Sequence, residues 1–226
     1  FCGAALRGLA EKLDGPWACA VQEIAARHGV VLVAGMFTPA PDGRVHNTVL
    51  VTGNSMHLGY DKIHLYDAFG FAESRTVAPG EDLLTVAVDD LTLGIATCYD
   101  VRFPALFHAL ADRGAQAIAL PASWGAGAGK REQWELLLRA RALDCTSWVL
   151  ACGQADPRTL GRTPSGKAPT GLGYSAVSDP QGRITASLQS EPDVLVTDID
   201  TALVDSTRAT IPVLANRRNF PAVTGV

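Results

Sequence analysis

Leu91-Thr-Leu-Gly-Ile-Ala-Thr-Cys98-Tyr-Asp-Val-Arg-Phe-Pro104 decides the fold class of this chain. An apolar, β-prone run ends at a cysteine, a short polar break follows, and Pro104 stands at a first helical position. The pattern predicts a strand, a tight turn and a helix, with Cys98 at the carboxyl end of the strand. Open α/β sheets bind their ligands at that edge. Free N–H groups at the helix start favour negative charge, so a lowered thiol pKa and a place for a developing oxyanion are expected. A buried structural cysteine is the commoner use of such a position, and this stretch alone leaves both readings open.

Outward from it the chain alternates. Asp14-Gly15-Pro16 opens a helix that reaches His28-Gly29, with proline at the start and glycine past the end. Val30 to Met36 is nearly all apolar and reads as a strand covered on both faces. Thr38 to Gly43 reads as a loop, Asn47–Thr52 and Met56–Asp61 as strands, and 67–82 as a long functional loop without period. Leu83–Val88 and Leu91–Ala96 flank Asp89-Asp90 as a hairpin. Pro104–Arg113 is helical. Gln116–Leu120 is a buried strand ended by Pro121, and Lys130 to about Thr146 is a helix with Trp134, Leu137, Leu138 and Ala142 at helical spacing. Trp148–Gly153 is a strand, and 156–173 is a loop rich in Pro, Gly, Ser and Thr. Tyr174–Ser178, Arg183–Leu188 and Val194–Ile199 read as three closing strands. The order implies one α/β domain over residues 1–226 with a mixed sheet.

Composition narrows the function. The 226 residues are 47% hydrophobic and 19% charged, ordinary for a soluble globular chain. A net charge of -4 and scattered Lys and Arg give no basic footprint, so no nucleic-acid partner is expected. No apolar run approaches the roughly 20 residues needed to span a bilayer. The five cysteines are odd in number and fit no metal spacing, which points to a reduced, cytoplasmic setting and no metal. Cys19, Cys145 and Cys152 lie in apolar periodic segments and read as small core residues. Cys2 has no assignment.

Cys98-Tyr-Asp-Val-Arg-Phe-Pro104 resembles the nucleophile motif of the nitrilase superfamily, the carbon–nitrogen hydrolases. Tyr60-Asp-Lys-Ile-His-Leu65 resembles its lysine motif. Phe71-Ala-Glu-Ser-Arg-Thr76 with Pro79-Gly80 resembles its second-glutamate loop, and Pro121-Ala-Ser-Trp124 with Trp134–Asp144 the segment after the next strand. The four occur in the family's order. The resemblance implies an α-β-β-α sandwich of two mixed sheets, a homodimer or higher homo-oligomer, and no cofactor. It implies Cys98 as nucleophile, Lys62 beside the thiolate and oxyanion, the Tyr99 N–H as second oxyanion donor, and Glu73 orienting Lys62 and the substrate amide and assisting proton movement.

The family's general base is a glutamate near the end of its first β–α unit. On this alignment of motifs it falls before Phe1, so the N-terminal part, including that unit, is expected to be missing from the sequence. Glu11 and Glu23 stand in the wrong context and take no such role. Within the family, Cys98–Pro104 with Lys62-Ile-His-Leu-Tyr-Asp67 most resembles the Nit amidases, which include ω-amidases and enzymes acting on deaminated glutathione. The expected substrate is therefore a small linear amide bearing a carboxylate. Tyr66, Phe69, Phe71 and Trp124 are candidates to wall its pocket. Arg102 is a candidate carboxylate clamp, with a buried ion pair as its alternative use. Arg139 and Arg141 read as structural. A nitrilase, an N-carbamoyl amidohydrolase or an aliphatic amidase shares the same residues. A chain without the glutamate is a non-catalytic homologue. Without the resemblance, a cysteine–histidine hydrolase using His57, His64 or His108 is the natural reading.

Overall fold

The computed structural model describes residues 3–164 and 168–218. After the short helix α1 (Gly3–Leu9), Gly15 precedes α2 (Pro16–His28), whose left-handed end is Gly29. Proline needs no N–H partner at a helix start, and glycine accepts the positive φ that ends it. Glu11 Oε1 accepts the Ala18 N–H at 3.0 Å, so this carboxylate serves the first turn of α2. Three antiparallel strands follow in spatial order: β1 (Leu32–Pro39), β2 (Val45–Gly53) and β3 (Met56–Asp61). Period-two alternation divides β2 between two layers. Leu50 packs with Ala18 of α2 and Met36, while Val49 and Val51 face the opposite way.

A two-stranded ribbon, β4 (Asp67–Ala68) and β5 (Phe71–Ala72), leads into a 3₁₀ turn at Glu73–Arg75. The second sheet then begins with the hairpin β6 (Thr85–Val88) and β7 (Leu91–Ile95), turned at Asp89-Asp90. A 3₁₀ turn over Cys98–Arg102 joins β7 to α3 (Pro104–Asp112). The strand β8 (Ala117–Ala122), helix α4 (Lys130–Cys145) and strand β9 (Trp148–Gly153) continue two right-sized β-α-β crossovers, with β7, β8 and β9 parallel. The antiparallel strands β10 (Ala176–Ser178) and β11 (Ile184–Ser187) complete a six-stranded sheet of order β11-β10-β9-β8-β7-β6. Two helices, α5 (Thr201–Thr210) and α6 (Val213–Asn216), follow.

The sheets pack face to face. Val49, Val51 and Tyr60 of the first meet Leu93, Ile95 and Ala117 of the second. On the outer face of the larger sheet, Phe107 and Leu110 of α3 and Trp134 and Leu138 of α4 form the other core. With α2 on the smaller sheet, the layers are α-β-β-α, as expected. Among the described residues no helix is long and apolar enough to cross a membrane.

Four details differ from the sequence reading. The strand expected over Val30–Met36 is an edge strand with only Met36 buried, because β1 pairs with β2 alone. It also extends into the expected loop, through Thr38 and Pro39 opposite His46 and Val45; an edge tolerates a residue without an N–H. Pro121 lies inside β8 opposite Cys152 and does not end it. Val194–Ile199 is not a strand. Its alternation is real, since Leu195 and Ile199 pack on the inter-sheet core while Val194 and Val196 are 80% and 86% exposed. It has no ladder partner among the described residues. The cysteines also separate: Cys145 is buried, Cys19 is half-buried and Cys152 is exposed, while Cys2 lies outside the described residues.

Candidate active site

Strand β7 delivers Cys98. Gly94 lets α3 close on that strand, since a Cβ there would sit 3.2 Å from Ala115 Cβ and 3.3 Å from Leu110. After Ile95 the Ala96 N–H still reaches the Ala119 carbonyl of β8 at 3.0 Å. Thr97 Oγ1 donates to the Pro121 carbonyl at 2.9 Å. The chain then turns sharply, and Cys98 takes φ +50°. An L-residue pays steric strain there, and such strain gathers at functional sites. Tyr99 follows in the first turn of the 3₁₀ segment, where backbone N–H groups lack intrahelical acceptors.

Lys62 stands just past β3 and is 2% exposed. Its Nζ donates to Glu73 Oε2 at 2.6 Å. The loop that brings Glu73 is anchored at both ends. The Glu73 N–H donates to the Tyr66 carbonyl at 3.2 Å, and the Gly80 N–H to the Lys62 carbonyl at 2.8 Å. A Cβ at Gly80 would lie 2.2 Å from the Asp61 carbonyl oxygen, so only glycine fits that approach. Glu73 is well occupied: Oε2 also accepts the Tyr66 N–H at 2.7 Å, and Oε1 accepts Asn47 Nδ2 at 3.1 Å. Accepting a proton would cost it one of these charge-assisted bonds. Asn47 was missed in the sequence because its amide serves Glu73 across 26 residues. A polar residue on the covered sheet was the available signal.

The expected lowering of the Cys98 pKa does not occur. Burial pushes the thiol up; the Lys62 charge pulls it down, Glu73 and Asp100 push it up, and the balance stays above the ordinary value. Desolvation outweighs the pull of the nearby cation. The Sγ–H accordingly donates to the Ser123 carbonyl at 3.8 Å. Iodoacetamide alkylation of Cys98, followed by peptide mass spectrometry, is therefore expected to rise with pH through a midpoint above the usual thiol value of about 8.5. A midpoint below that value would contradict the burial argument.

Cys98, Lys62, Glu73, Tyr66, Phe71 and Asn47 all line one cavity of about 640 Å³. Cys152 lines it too, which corrects its reading as a core residue. Other candidates lie elsewhere. Arg102 and Trp124 line a narrow crevice that adjoins the cavity at Cys98, together with Tyr99, Lys130 and Tyr66. Arg102 donates to Gln133 Oε1 at 2.7 Å, its guanidinium lies over the Trp124 ring at 5.0 Å, and it has no ion pair among the described residues. Trp124 is buried, donates through Nε1 to the Lys130 carbonyl at 2.9 Å and packs on Trp134. Phe69 is 69% exposed and lies under Lys130 Nζ at 3.5 Å. Tyr66 contacts Phe69, Phe71 and, edge-on at 5.1 Å, Tyr99.

None of the three histidines lines the cavity or the crevice. His57 bonds Thr52 Oγ1 and the Leu13 carbonyl, and His64 Nδ1 donates to Asp100 at 2.8 Å. Arg141 donates to the Val101 carbonyl at 3.2 Å and pairs with Asp144, while Arg139 donates to the Gly182 carbonyl.

Comparison with known proteins gives the family. The family model described as carbon-nitrogen hydrolase matches residues 1–209. A hydrolase of Mycobacterium tuberculosis is 53% identical over 224 residues, 96% of this chain and 80% of that protein. The deaminated glutathione amidase of Escherichia coli O157:H7 is 33% identical over 214 residues, 94% of this chain and 77% of that protein. Among solved structures, Saccharomyces cerevisiae Nit3, a member of the nitrilase superfamily, superposes with a TM-score of 0.81 at 25% identity, covering 97% of this chain and 79% of that one. An amidase from Nesterenkonia sp. AN1, with the acetamide moiety of fluoroacetamide covalently added at its active-site cysteine, superposes with a TM-score of 0.68 at 27% identity, covering 88% of this chain and 68% of that one. The chain belongs to the carbon–nitrogen hydrolase family of the nitrilase superfamily, and it is a carbon–nitrogen hydrolase.

Proposed function

We propose that this protein hydrolyses the amide group of small linear amides that carry a carboxylate, through a thioester on Cys98, with release of ammonia. The observation that carries the reading is Cys98, strained at φ +50° and lining one cavity with the buried Lys62–Glu73 pair. In the first step Cys98 Sγ bonds to the amide carbon, and the carbonyl oxygen becomes an oxyanion between Lys62 Nζ and the Tyr99 N–H. The carbon–nitrogen bond then breaks. The thiol's proton leaves with the nitrogen as ammonia, and a thioester remains. Water adds to the thioester, and the carboxylic acid departs as the thiol re-forms. The raised thiol pKa means that a base must remove the proton. With three donors on its carboxylate, Glu73 fixes Lys62 and leaves that transfer to another group.

The carboxylate preference rests on Arg102 and Lys130. Neither has an acidic partner among the described residues, and both border the crevice that shares Cys98 and Tyr66 with the cavity. Burial and the neighbouring Arg102 charge push the Lys130 ammonium below its usual value. Lys130 also stands at the first residue of α4, where a helix disfavours cations. An incoming carboxylate relieves all three penalties. The names of the relatives, which include an amidase of deaminated glutathione, support the same substrate class.

Ammonia release is measured from succinamate, glutaramate, butyramide, a ureido acid and an aliphatic nitrile, with Cys98→Ala as the blank. Release from succinamate and glutaramate is expected, faster than from butyramide. Release only from the nitrile or the ureido acid, or from none, would overturn the reading. Lys130→Met is expected to raise KM for succinamate by about tenfold, as for a lost charge-assisted contact, and to leave butyramide unchanged.

A further inference from the structure

Asp100 is fully buried, two residues past Cys98, and has more partners than any capping role requires. Its Oδ2 accepts the Tyr60 hydroxyl at 2.8 Å and the Thr97 N–H at 2.9 Å. Its Oδ1 accepts the His64 N–H at 3.1 Å and His64 Nδ1 at 2.8 Å. The imidazole is clamped on its other side by the Phe103 ring, stacked at 3.7 Å and 7°. Three of the four donors come from residues 60 and 64, which bracket Lys62. The fourth donor, Thr97, and Asp100 itself belong to the turn that holds Cys98 in its strained conformation. One carboxylate thus ties the chain on either side of Lys62 to the chain on either side of Cys98, across the gap between the two sheets.

We propose that Asp100, through Tyr60 and His64, is the positioning residue that holds Lys62 against Cys98. The inference rests on the reading of Cys98 and Lys62 as the reacting pair, but it can be tested without a substrate.

Two effects of Asp100 on the thiol have opposite signs. As a nearby negative charge it raises the Cys98 pKa directly, whereas Lys62, if held in place by Asp100, lowers it. The alkylation midpoint of Cys98 with iodoacetamide therefore discriminates. If Asp100 is only a buried neighbouring charge, Asp100→Asn lowers the midpoint. If it positions Lys62, the same change lets the ammonium drift and raises the midpoint, by about one pH unit for the retreat of a nearby opposite charge. Tyr60→Phe removes one tie without altering any charge, so it carries the test if Asp100→Asn fails to fold. It is expected to raise the midpoint by a smaller amount.

On succinamate, both variants are expected to lose kcat, by about 10²-fold for Asp100→Asn, as for a misplacement of about 1 Å. KM is expected to stay within about twofold, since no substrate contact is removed. A midpoint that falls or stays fixed in the folded variants, or a kcat retained at wild-type level, would overturn the proposal. Should the wild-type protein release no ammonia from any compound, the substrate reading fails, while the alkylation midpoints still decide the role of Asp100.

Discussion

Cys98→Ala is expected to lower ammonia release from succinamate by on the order of 10⁴-fold or more, the scale for removing a covalent nucleophile. Cys98→Gly is expected to be as inactive but more stable than Cys98→Ala. At φ +50° an L-residue crowds its Cβ against the following carbonyl, at a cost of about 1–2 kcal/mol. Glycine avoids this, but its freer unfolded chain returns roughly 0.5–1 kcal/mol. The net advantage of Gly over Ala is about 0.5–1 kcal/mol, readable as a shift in urea midpoint. The comparison cancels the thiol, which both variants lack. It isolates the backbone strain that aims Sγ into the cavity. An alanine variant as stable as the glycine one would show that no strain is stored at this turn.

The strand, turn and helix around Cys98 were legible because each is punctuated locally: an apolar run, a polar break, then Pro104. The same holds for α2, framed by Gly15-Pro16 and Gly29, and for the hairpin at Asp89-Asp90. What stayed illegible depends on neighbours distant in sequence. Val30–Met36 reads as a covered strand from its composition, yet β1 lies at an edge and only Met36 is buried. Val194–Ile199 has the alternation of a strand and even buries alternate residues, but alternation cannot supply a ladder partner. The thiol pKa went astray for a related reason. A helix start is visible in sequence, whereas desolvation depends on what the fold packs around Sγ. At the site, Cys98, Lys62 and Glu73 were named from motif order, and all three line one cavity. Asn47 and Asp100 act only through folded contacts: one amide on Glu73, and one carboxylate linking two sheets.

Lys62→Met is expected to cost both rate and stability, and the two losses are separable. The ammonium is buried and its hydrogen bond to Glu73 is 2.6 Å long. Methionine keeps most of the length of the side chain but leaves the Glu73 carboxylate buried with the Asn47 amide and the Tyr66 N–H as its partners among the described residues. Removing one member of a buried pair costs about 3–5 kcal/mol, most of it the penalty on the charge left behind. Glu73→Gln in the Lys62→Met background removes that charge, so the double variant is expected to regain about half of the lost stability or more. Activity is not expected to return. On the proposed mechanism the oxyanion has lost its charged donor, a loss on the order of 10²–10³ in kcat for a single donor, and the thiol has lost a cation that lowers its pKa. Stability is followed by urea unfolding and activity by ammonia release. Recovery of both together in the double variant would mean that Lys62 serves the fold alone, and the oxyanion role would have to pass to another group. Recovery of stability without activity separates the pair into its two functions: Glu73 holds Lys62 in the dry interior, and Lys62 meets the charge that the reaction creates.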